Sequence, residues 1–202
     1  EIPHARMAYE QFGELNAAGD NAILVFHALT GDSHLVGPAG PGHPTDGWWT
    51  EIVGPGRALD TDQYCVIAPN VLGGCQGSTG PASLGPGRRE WGARFPYLTI
   101  RDQVSAAAAF ADALGVARFA AVIGGSMGGM HALEWAIRFP ERTERLAVIA
   151  APPVTTADQI GLNLVQLEAI RSDPAYRDGD YYDTPDGVGP HHGLATARRM
   201  AL

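Results

Sequence analysis

Residues 118–139 read RFAAVIGGSMGGMHALEWAIRF, and this order predicts a strand, a sharp turn and a helix in succession. Residues 118–123 have the apolar run of a buried strand, and the apolar spacing after the turn is that of a helix. The turn itself, Gly124-Gly125-Ser126-Met127-Gly128, matches G-x-S-x-G, a pattern that is diagnostic between a strand and a helix. We therefore predict that the Ser126 hydroxyl projects from the carboxyl end of a sheet, where the N-terminus of the following helix favours negative charge. The alternative is a tight glycine-rich turn with a passive serine.

Strand-like and helix-like segments alternate on both sides of this turn. The other runs that read as buried strands are residues 22–26, 64–68 and 146–151. Residues 100–114 carry the apolar stripe of an amphipathic helix, and Thr99 and Asp102 resemble its N-terminal capping pair. In the helix after the turn, Glu134 and Arg138 have the i, i+4 spacing of an ion pair. This alternation predicts an α/β fold with a mostly parallel sheet and helices on both faces.

The pattern changes after residue 151. No further strand is recognisable, residues 157–171 look helical, and another helix begins at residue 193. We predict a core over residues 1–155 that is incomplete at its C-terminal end, followed by the start of a helical lid over residues 156–202.

The charge composition excludes several classes of function. The chain of 202 residues has 14 basic and 22 acidic side chains and a net charge of -8, which disfavours non-specific binding to nucleic acid or an anionic membrane. All 14 basic residues are arginine, so a Schiff-base lysine, covalently held pyridoxal phosphate and a P-loop lysine are excluded.

Cysteine content and hydropathy indicate the cellular compartment of the protein. Two cysteines are too few for a disulfide framework or a cysteine zinc cluster, and they suit a reducing compartment. No apolar run approaches the length of a membrane span, and no signal peptide is recognisable. We expect a cytoplasmic protein with no bound metal or cofactor.

An acyl-transfer site needs two backbone N–H groups that receive the developing oxyanion. Met127, the residue after the serine, is the first candidate. The second should lie in the loop after an earlier strand, and we assign Leu29 within His27-Ala28-Leu29-Thr30-Gly31. The alternative for this loop is an ordinary strand end with a hydrogen-bonded His27.

Longer motifs run along most of the chain. They are His27-Ala28-Leu29-Thr30-Gly31, Asp46-Gly47-Trp48-Trp49, NVLGGCQGSTGP at residues 70–81, Gly124-Gly125-Ser126-Met127-Gly128-Gly129 and the opening AYEQFGELN at residues 8–16. Together they resemble the homoserine O-acetyltransferase family of α/β-hydrolase-fold acyltransferases. His131 departs from the resemblance, since glutamine is common at that position in the family.

The resemblance implies a two-step reaction in methionine biosynthesis. Ser126 would be the acylated nucleophile, and Leu29 and Met127 would supply the oxyanion amides. Acetyl-CoA would be a co-substrate that donates its acetyl group to Ser126, and the side-chain hydroxyl of L-homoserine would then accept it. The resemblance also suggests a homodimer.

The remaining members of a catalytic triad are not recognisable in the sequence. In this fold an acid and then a histidine follow the serine, each at the end of a later strand. The candidate acids are Asp158, Asp173, Asp178, Asp180, Asp183 and Asp186, and the candidate bases are His131, His191 and His192. None follows a recognisable strand, so a solvated lid loop is the better interpretation of the aspartates, His191 and His192. The resemblance implies that the triad acid, the triad histidine and a homoserine-binding arginine lie beyond residue 202, and we expect the chain alone to be inactive.

Other interpretations stay open. A homoserine succinyltransferase would share the fold and motifs, and a serine esterase would share the nucleophile. A non-catalytic nucleotide binder would use residues 72–80 as a phosphate-binding loop. Three arginines could bind the phosphates of CoA or could be solvated surface residues: Arg88, Arg89 and Arg94. Trp48 and Trp49 are better interpreted as packing residues than as substrate contacts.

Overall fold

The computed structural model describes residues 2–185 and 187–201. The chain forms two compact units. The first contains the residues up to Gly80 together with Pro96–Pro153, and the second contains Pro81–Phe95 and the residues from Val154 onward. The predicted boundary between residues 155 and 156 stays a prediction; the division by contacts falls two residues earlier and places 81–95 in the second unit.

The first unit is organised around a five-stranded sheet. The strands of the described chain are β1 (Tyr9–Phe12), β2 (Ala22–Phe26), β3 (Val53–Gly54), β4 (Leu59–Asp60), β5 (Cys65–Pro69), β6 (Ala121–Gly125) and β7 (Leu146–Ile149). The main sheet has the order β1-β5-β2-β6-β7, and every pair in it is parallel except β1 with β5. The predicted mostly parallel sheet is confirmed. The antiparallel strand β1 escaped prediction because its four residues include Glu10 and Gln11 and form no apolar run.

Two apolar clusters cover the two faces of this sheet. Alternate residues of a strand point to opposite faces, so Leu24 and Phe26 join one cluster while Ile23 and Val25 join the other. The first cluster includes residues of two helices, α1 (Ile100–Ala113) and α2 (Met127–Arg138). The second is completed by residues such as Leu35 and Val53 from the segment that contains β3 and β4. The expectation of helices on both faces is therefore met on one face only within the described residues of this unit.

Local hydrogen bonds fix where α1 begins. Thr99 and Asp102 form the predicted capping box, in which the Thr99 hydroxyl accepts from the Asp102 N–H and the Asp102 carboxylate accepts from the Thr99 N–H at 2.8 Å.

The predicted ion pair between Glu134 and Arg138 is wrong. Glu134 instead pairs with Arg101 of α1 at 3.0 Å, and Arg138 donates to the Arg101 carbonyl and the Ser105 hydroxyl. Because α1 packs against α2, the partners of Glu134 and Arg138 come from the neighbouring helix, and spacing within a single helix cannot predict such contacts.

The second unit contains two helices, α3 (Ala157–Arg171) and α4 (His191–Met200). The helices approach closely at Gly193, where a Cβ would lie 2.5 Å from the Ala169 carbonyl oxygen. Within the described chain, none of the helices combines the length and apolarity that crossing a bilayer requires.

Candidate active site

A single residue, Ser126, joins β6 to α2. Its backbone has φ 54° and ψ -120°, a conformation that L-residues rarely adopt and that costs about 1–3 kcal/mol. The residue is exposed, and its hydroxyl makes no hydrogen bond within the described residues. The sequence prediction of a strained, projecting serine between strand and helix thus agrees with the geometry.

Two glycines make this turn sterically feasible. A Cβ at Gly124 would lie 1.9 Å from the Gly128 carbonyl oxygen, and a Cβ at Gly128 would lie 2.2 Å from the Phe26 carbonyl oxygen. Neither obstacle is a side chain that can rotate away. Backbone packing of β6, α2 and β2 therefore requires glycine on both sides of Ser126.

The two predicted oxyanion donors border one cavity of about 400 Å³. Met127 is the first residue of α2, where a backbone N–H has no acceptor within the helix. Leu29 lies in the loop after β2, with a side chain that is 75 % exposed. Neither backbone N–H donates a hydrogen bond within the described residues. Ser126 itself does not line the cavity, and the assignment of both donors stays a prediction.

His27 is a structural histidine at the end of β2. The Val71 N–H can only donate, so Nε2 of His27 accepts from it at 3.1 Å and the ring proton lies on Nδ1, 2.7 Å from the Ala28 carbonyl oxygen. Burial lowers the pKa of the imidazole, and the hydrogen bond to Ala28 offsets part of that effect. The neutral ring is therefore fully hydrogen-bonded and joins the Leu29 loop to the end of β5.

The loop after β5 is held by side chains of its own. Asn70 is buried and donates to the carbonyl oxygens of Cys75 and Gln76, while the Ser78 hydroxyl donates to the Asn70 carbonyl at 2.6 Å. The Gly73 N–H donates to the Thr79 carbonyl at 2.8 Å. The Gly74 N–H donates to the Val71 carbonyl. The Gly73 and Gly74 amides are therefore committed to protein acceptors and are not free to hold a phosphate, as the phosphate-binding interpretation of residues 72–80 would require of them.

The buried His131 and the half-buried Gln103 link this loop to the turn at Ser126. His131 places Nδ1 2.8 Å from the Met127 carbonyl oxygen and Nε2 2.8 Å from Oε1 of Gln103. The Gln103 amide nitrogen then donates to the Leu72 carbonyl at 2.8 Å. Burial lowers the pKa of His131 to about 4, so the ring is neutral at pH 7 and donates to one of its two acceptors. His131 is thus a packing and hydrogen-bonding residue rather than the general base.

Sequence reasoning missed Gln103 and the role of Asn70. Gln103 lies on the amphipathic helix α1, where a polar residue ordinarily faces solvent, yet it lines the cavity beside Met127. Cys75 lies in the same wall and is exposed, whereas Cys65 is buried.

The candidate acids after Ser126 have structural roles where the structure describes them. Asp173 accepts from the backbone N–H groups of Gly193 and Ala175, which lower the pKa of its carboxyl group. Asp180 pairs with Arg94, and Asp183 pairs with Arg177. Asp158 lies in the first turn of α3, and Asp178 has a positive φ. Nε2 of His191 lies within hydrogen-bond distance of the Gly187 carbonyl oxygen. Asp186 lies outside the described residues. These contacts fit the interpretation of a lid segment.

The remaining candidates have ordinary surroundings. Arg94, besides its pairing with Asp180, donates to the Glu90 carbonyl, and Arg89 borders a small cavity of about 170 Å³ in the second unit. Trp49 packs against the second apolar cluster, and Trp48 donates from its indole N–H to the Asp32 carbonyl at 3.0 Å. The packing interpretation of the two tryptophans agrees with these contacts.

Comparison with known proteins gives consistent results. A homoserine O-acetyltransferase from Leifsonia xyli subsp. xyli is 69% identical over 201 residues, which are 100% of this chain and 50% of that relative. The chain spans about half the length of the curated relatives it matches. The resemblance drawn from the motifs is confirmed at this level of similarity.

Two solved structures share the architecture. The homoserine O-acetyltransferase from Bacillus anthracis superposes with a TM-score of 0.86 at 34% identity, covering 96% of this chain and 53% of that one. Esterase E22 superposes with a TM-score of 0.87 at 32% identity, covering 98% and 55%. The sequence model described as the alpha/beta hydrolase fold matches residues 21–190, and this chain belongs to that family.

Proposed function

We propose that this chain supplies the nucleophile-bearing half of a homoserine O-acetyltransferase. Ser126 takes the acetyl group from acetyl-CoA, with release of CoA, and passes it to the side-chain hydroxyl of L-homoserine. The observation that carries the proposal is the exposed, strained serine at the β6–α2 turn in a chain that is 69% identical to a relative of that name. An acyltransferase of this kind acts in methionine biosynthesis.

The geometry supports acyl transfer through its backbone donors. The N–H groups of Leu29 and Met127 are without protein acceptors among the described residues and border one cavity. Each donor aimed at the developing oxyanion contributes about 3–4 kcal/mol of transition-state stabilisation. The N-terminus of α2 adds a favourable field at the same point.

The base that activates Ser126 is a separate requirement. Within the described residues no imidazole is hydrogen-bonded to Ser126, and both ring nitrogens of His27 and of His131 have other partners. A serine hydroxyl without a base has the reactivity of an ordinary alcohol. We therefore predict that this chain by itself reacts slowly with a fluorophosphonate; rapid stoichiometric labelling of Ser126 would contradict the absence of a base.

The decisive experiment uses the complete protein. Acetyl-CoA and succinyl-CoA are offered separately with L-homoserine, and the products are identified by mass spectrometry. We expect O-acetylhomoserine, an acetylated Ser126 peptide when homoserine is left out, and loss of both in Ser126→Ala. The matched control is Ser172→Ala, which removes an exposed hydroxyl from the end of α3 and should leave turnover intact. Preference for succinyl-CoA would replace the acetyl donor in the proposal.

A serine esterase is the second candidate, and the likeness to esterase E22 favours it. The two functions differ in what removes the acyl group from Ser126. Transfer requires that water be excluded while the acceptor hydroxyl is held in line. In a transferase the acetyl-enzyme should persist until homoserine is added, whereas in an esterase it should decay at the same rate with and without homoserine.

The cellular setting of the proposed enzyme is cytoplasmic, and its assembly is a homodimer. The location is supported by the two cysteines, which are both unpaired, and the dimer by the family resemblance alone. Sedimentation of the complete protein measures the assembly, and a monomeric mass would remove the dimer from the proposal.

A further inference from the structure

A cluster of three side chains lies outside the proposed active site. Nδ1 of His34 and Nε2 of His43 each lie 3.0 Å from the same oxygen, Oε1 of Glu10. One donor atom from each residue can be chosen such that all three lie within 4.8 Å of one another. We propose that Glu10, His34 and His43 form a binding site for a divalent transition-metal ion, with Zn²⁺ as the best match.

The chemistry of the three donors supports zinc. Two imidazole nitrogens and one carboxylate oxygen form a known zinc ligand set, with water in the fourth position. Zinc bonds of 2.0–2.2 Å to nitrogen and oxygen separate tetrahedral ligand atoms by about 3.3 Å. The 3.0 Å distances from Glu10 to both rings require only a small expansion to admit the ion.

Each ligand is held by its own backbone. Glu10 lies on β1 in register with Ala68 of β5. The His34 N–H donates to the Asp32 carboxylate at 2.8 Å. His43 exchanges two backbone hydrogen bonds with Gly40, at 2.8 and 2.9 Å. The backbone of each ligand is therefore held in place before any ion arrives, which reduces the ordering that binding requires.

The two rings are stacked beside Glu10, with centroids 3.9 Å apart and planes that differ by 18°. Because the lone pair of a ring nitrogen lies in the ring plane, one ring must turn for both nitrogens to bind the same ion, and the 35% exposed His43 side chain has the freedom to do so. Gly37, at φ +119°, leaves room for this stack, since a Cβ there would lie 3.2 Å from Cε1 of His34. Nε2 of His34 is buried without a partner among the described residues, so this ring makes its polar contacts through the nitrogen that faces Glu10.

Charge and access also fit a cation. The described ion pairs give Glu10 only these two imidazoles as partners and no arginine. The side chains of His43 and Glu10 are 35% and 21% exposed, so an ion and its water can enter from solvent, whereas His34 is buried. Each imidazole would bind zinc through a ring nitrogen that carries a lone pair, with the ring hydrogen on its other nitrogen.

The position of the site suggests what a bound ion does. Glu10 belongs to the edge strand β1, and the two histidines belong to the segment that follows β2. Pro44 and Thr45, directly after His43, border the cavity that Leu29 and Met127 also line. Zinc at this cluster therefore fastens the edge strand to a loop in the cavity wall.

The test measures zinc binding to the protein without a polyhistidine tag. After treatment with a chelator, calorimetric titration with Zn²⁺ should give one ion per chain with a micromolar or lower Kd. His43→Asn and Glu10→Gln should each weaken binding at least about tenfold, by the loss of one ligand. The matched control is His192→Asn, which removes an imidazole from α4, where two adjacent histidines are the obvious competing site.

Two further measurements keep the result interpretable. Co²⁺ in place of Zn²⁺ should give visible absorption of a four-coordinate nitrogen and oxygen site, and His43→Asn should abolish it. Zinc at about 100 times its Kd should raise the Tm by about 5 °C or more in the unaltered protein. His43 is partly exposed, so circular dichroism should show its variant folded. Absence of stoichiometric binding, or binding that His192→Asn removes and His43→Asn leaves intact, would overturn the proposal.

Discussion

The turn after β6 and the loop after β5 are both rich in glycine and both contain serine, yet they are built in opposite ways. In the turn, Ser126 has a strained backbone and a hydroxyl without a hydrogen-bond partner among the described residues. In the loop, the Ser78 hydroxyl accepts from the Ala8 N–H at 2.9 Å and donates to the Asn70 carbonyl. The Ser78 hydroxyl thus stabilises its loop, whereas the Ser126 hydroxyl holds no described part of the fold together.

The two regions are also connected. A series of polar contacts joins them, which runs from the Met127 carbonyl through His131 and Gln103 to the Leu72 carbonyl. The neutral His131 ring carries one N–H but faces two acceptors, so it can donate a hydrogen bond to only one of them. The contrast between the two regions predicts different responses to substitution, in fold stability as well as in activity.

The largest effect should come from adding one methyl group to the turn. Gly128→Ala places a Cβ against the Phe26 carbonyl, so we expect a loss of about 3 kcal/mol or more in the free energy of unfolding. Gly161→Ala is the matched control, because nothing lies within 4 Å of its Cβ position in α3, and it should gain about 0.5–1 kcal/mol. Urea unfolding measures both; equal effects would mean that the turn is not tightly packed.

Lowering the pH should reduce the free energy of unfolding by a comparable amount, because His131 in the connection between the two regions takes up a proton. Burial holds the pKa of His131 at about 4 in the folded chain, against 6.5 ordinarily, so the unfolded chain binds more protons between these values. The stabilisation is complete above pH 6.5 and falls by roughly 3 kcal/mol toward pH 4.

The matched test is His131→Gln, which keeps a hydrogen-bonding side chain and removes the titration. Urea unfolding at several pH values should show a much shallower pH dependence in His131→Gln. A residual slope from His27, whose pKa is also lowered by burial, should remain. His192→Asn is the control that should retain the full slope, and an unchanged slope in His131→Gln would refute the assignment.

Replacement by alanine should change the unfolding free energy differently at Ser78 and at Ser126. Ser78→Ala leaves the part-buried Ala8 N–H and the buried Asn70 carbonyl with one partner fewer each, and we expect a loss of about 2 kcal/mol. Ser126→Ala removes a hydroxyl without a partner and keeps the same backbone strain, so its unfolding free energy should stay nearly constant. Equal losses in urea would remove the distinction between the two regions.

A smaller effect than the loss in Ser78→Ala should be a gain in stability. Ser126→Gly relieves the positive φ of the turn, and after the added freedom of glycine in the unfolded chain we expect about 1 kcal/mol of stabilisation. Thermal unfolding measures it as a rise of a few degrees in Tm. A lower Tm than that of the unaltered chain would indicate that the backbone at Ser126 is not strained.

What the sequence could predict depended on how local the cause was. The turn at Ser126 was predictable, because its strand, glycines and helix are consecutive in the chain. Gln103 was not, because a polar residue on an amphipathic helix gives no sign that tertiary packing turns it inward. The cluster of Glu10, His34 and His43 joins residues from an edge strand and a distant loop, and no spacing in the sequence announces it. The ion pair predicted for Glu134 failed for a similar reason, since a neighbouring helix supplies Arg101.

The contrast between the two cysteines has a practical consequence. Since Cys65 is buried within β5 and Cys75 is exposed on the cavity wall, a thiol-reactive fluorophore attaches to the chain at one defined position. We expect a dye at that position to change its emission when a ligand enters the cavity, while the hydroxyl of Ser126 remains chemically unmodified.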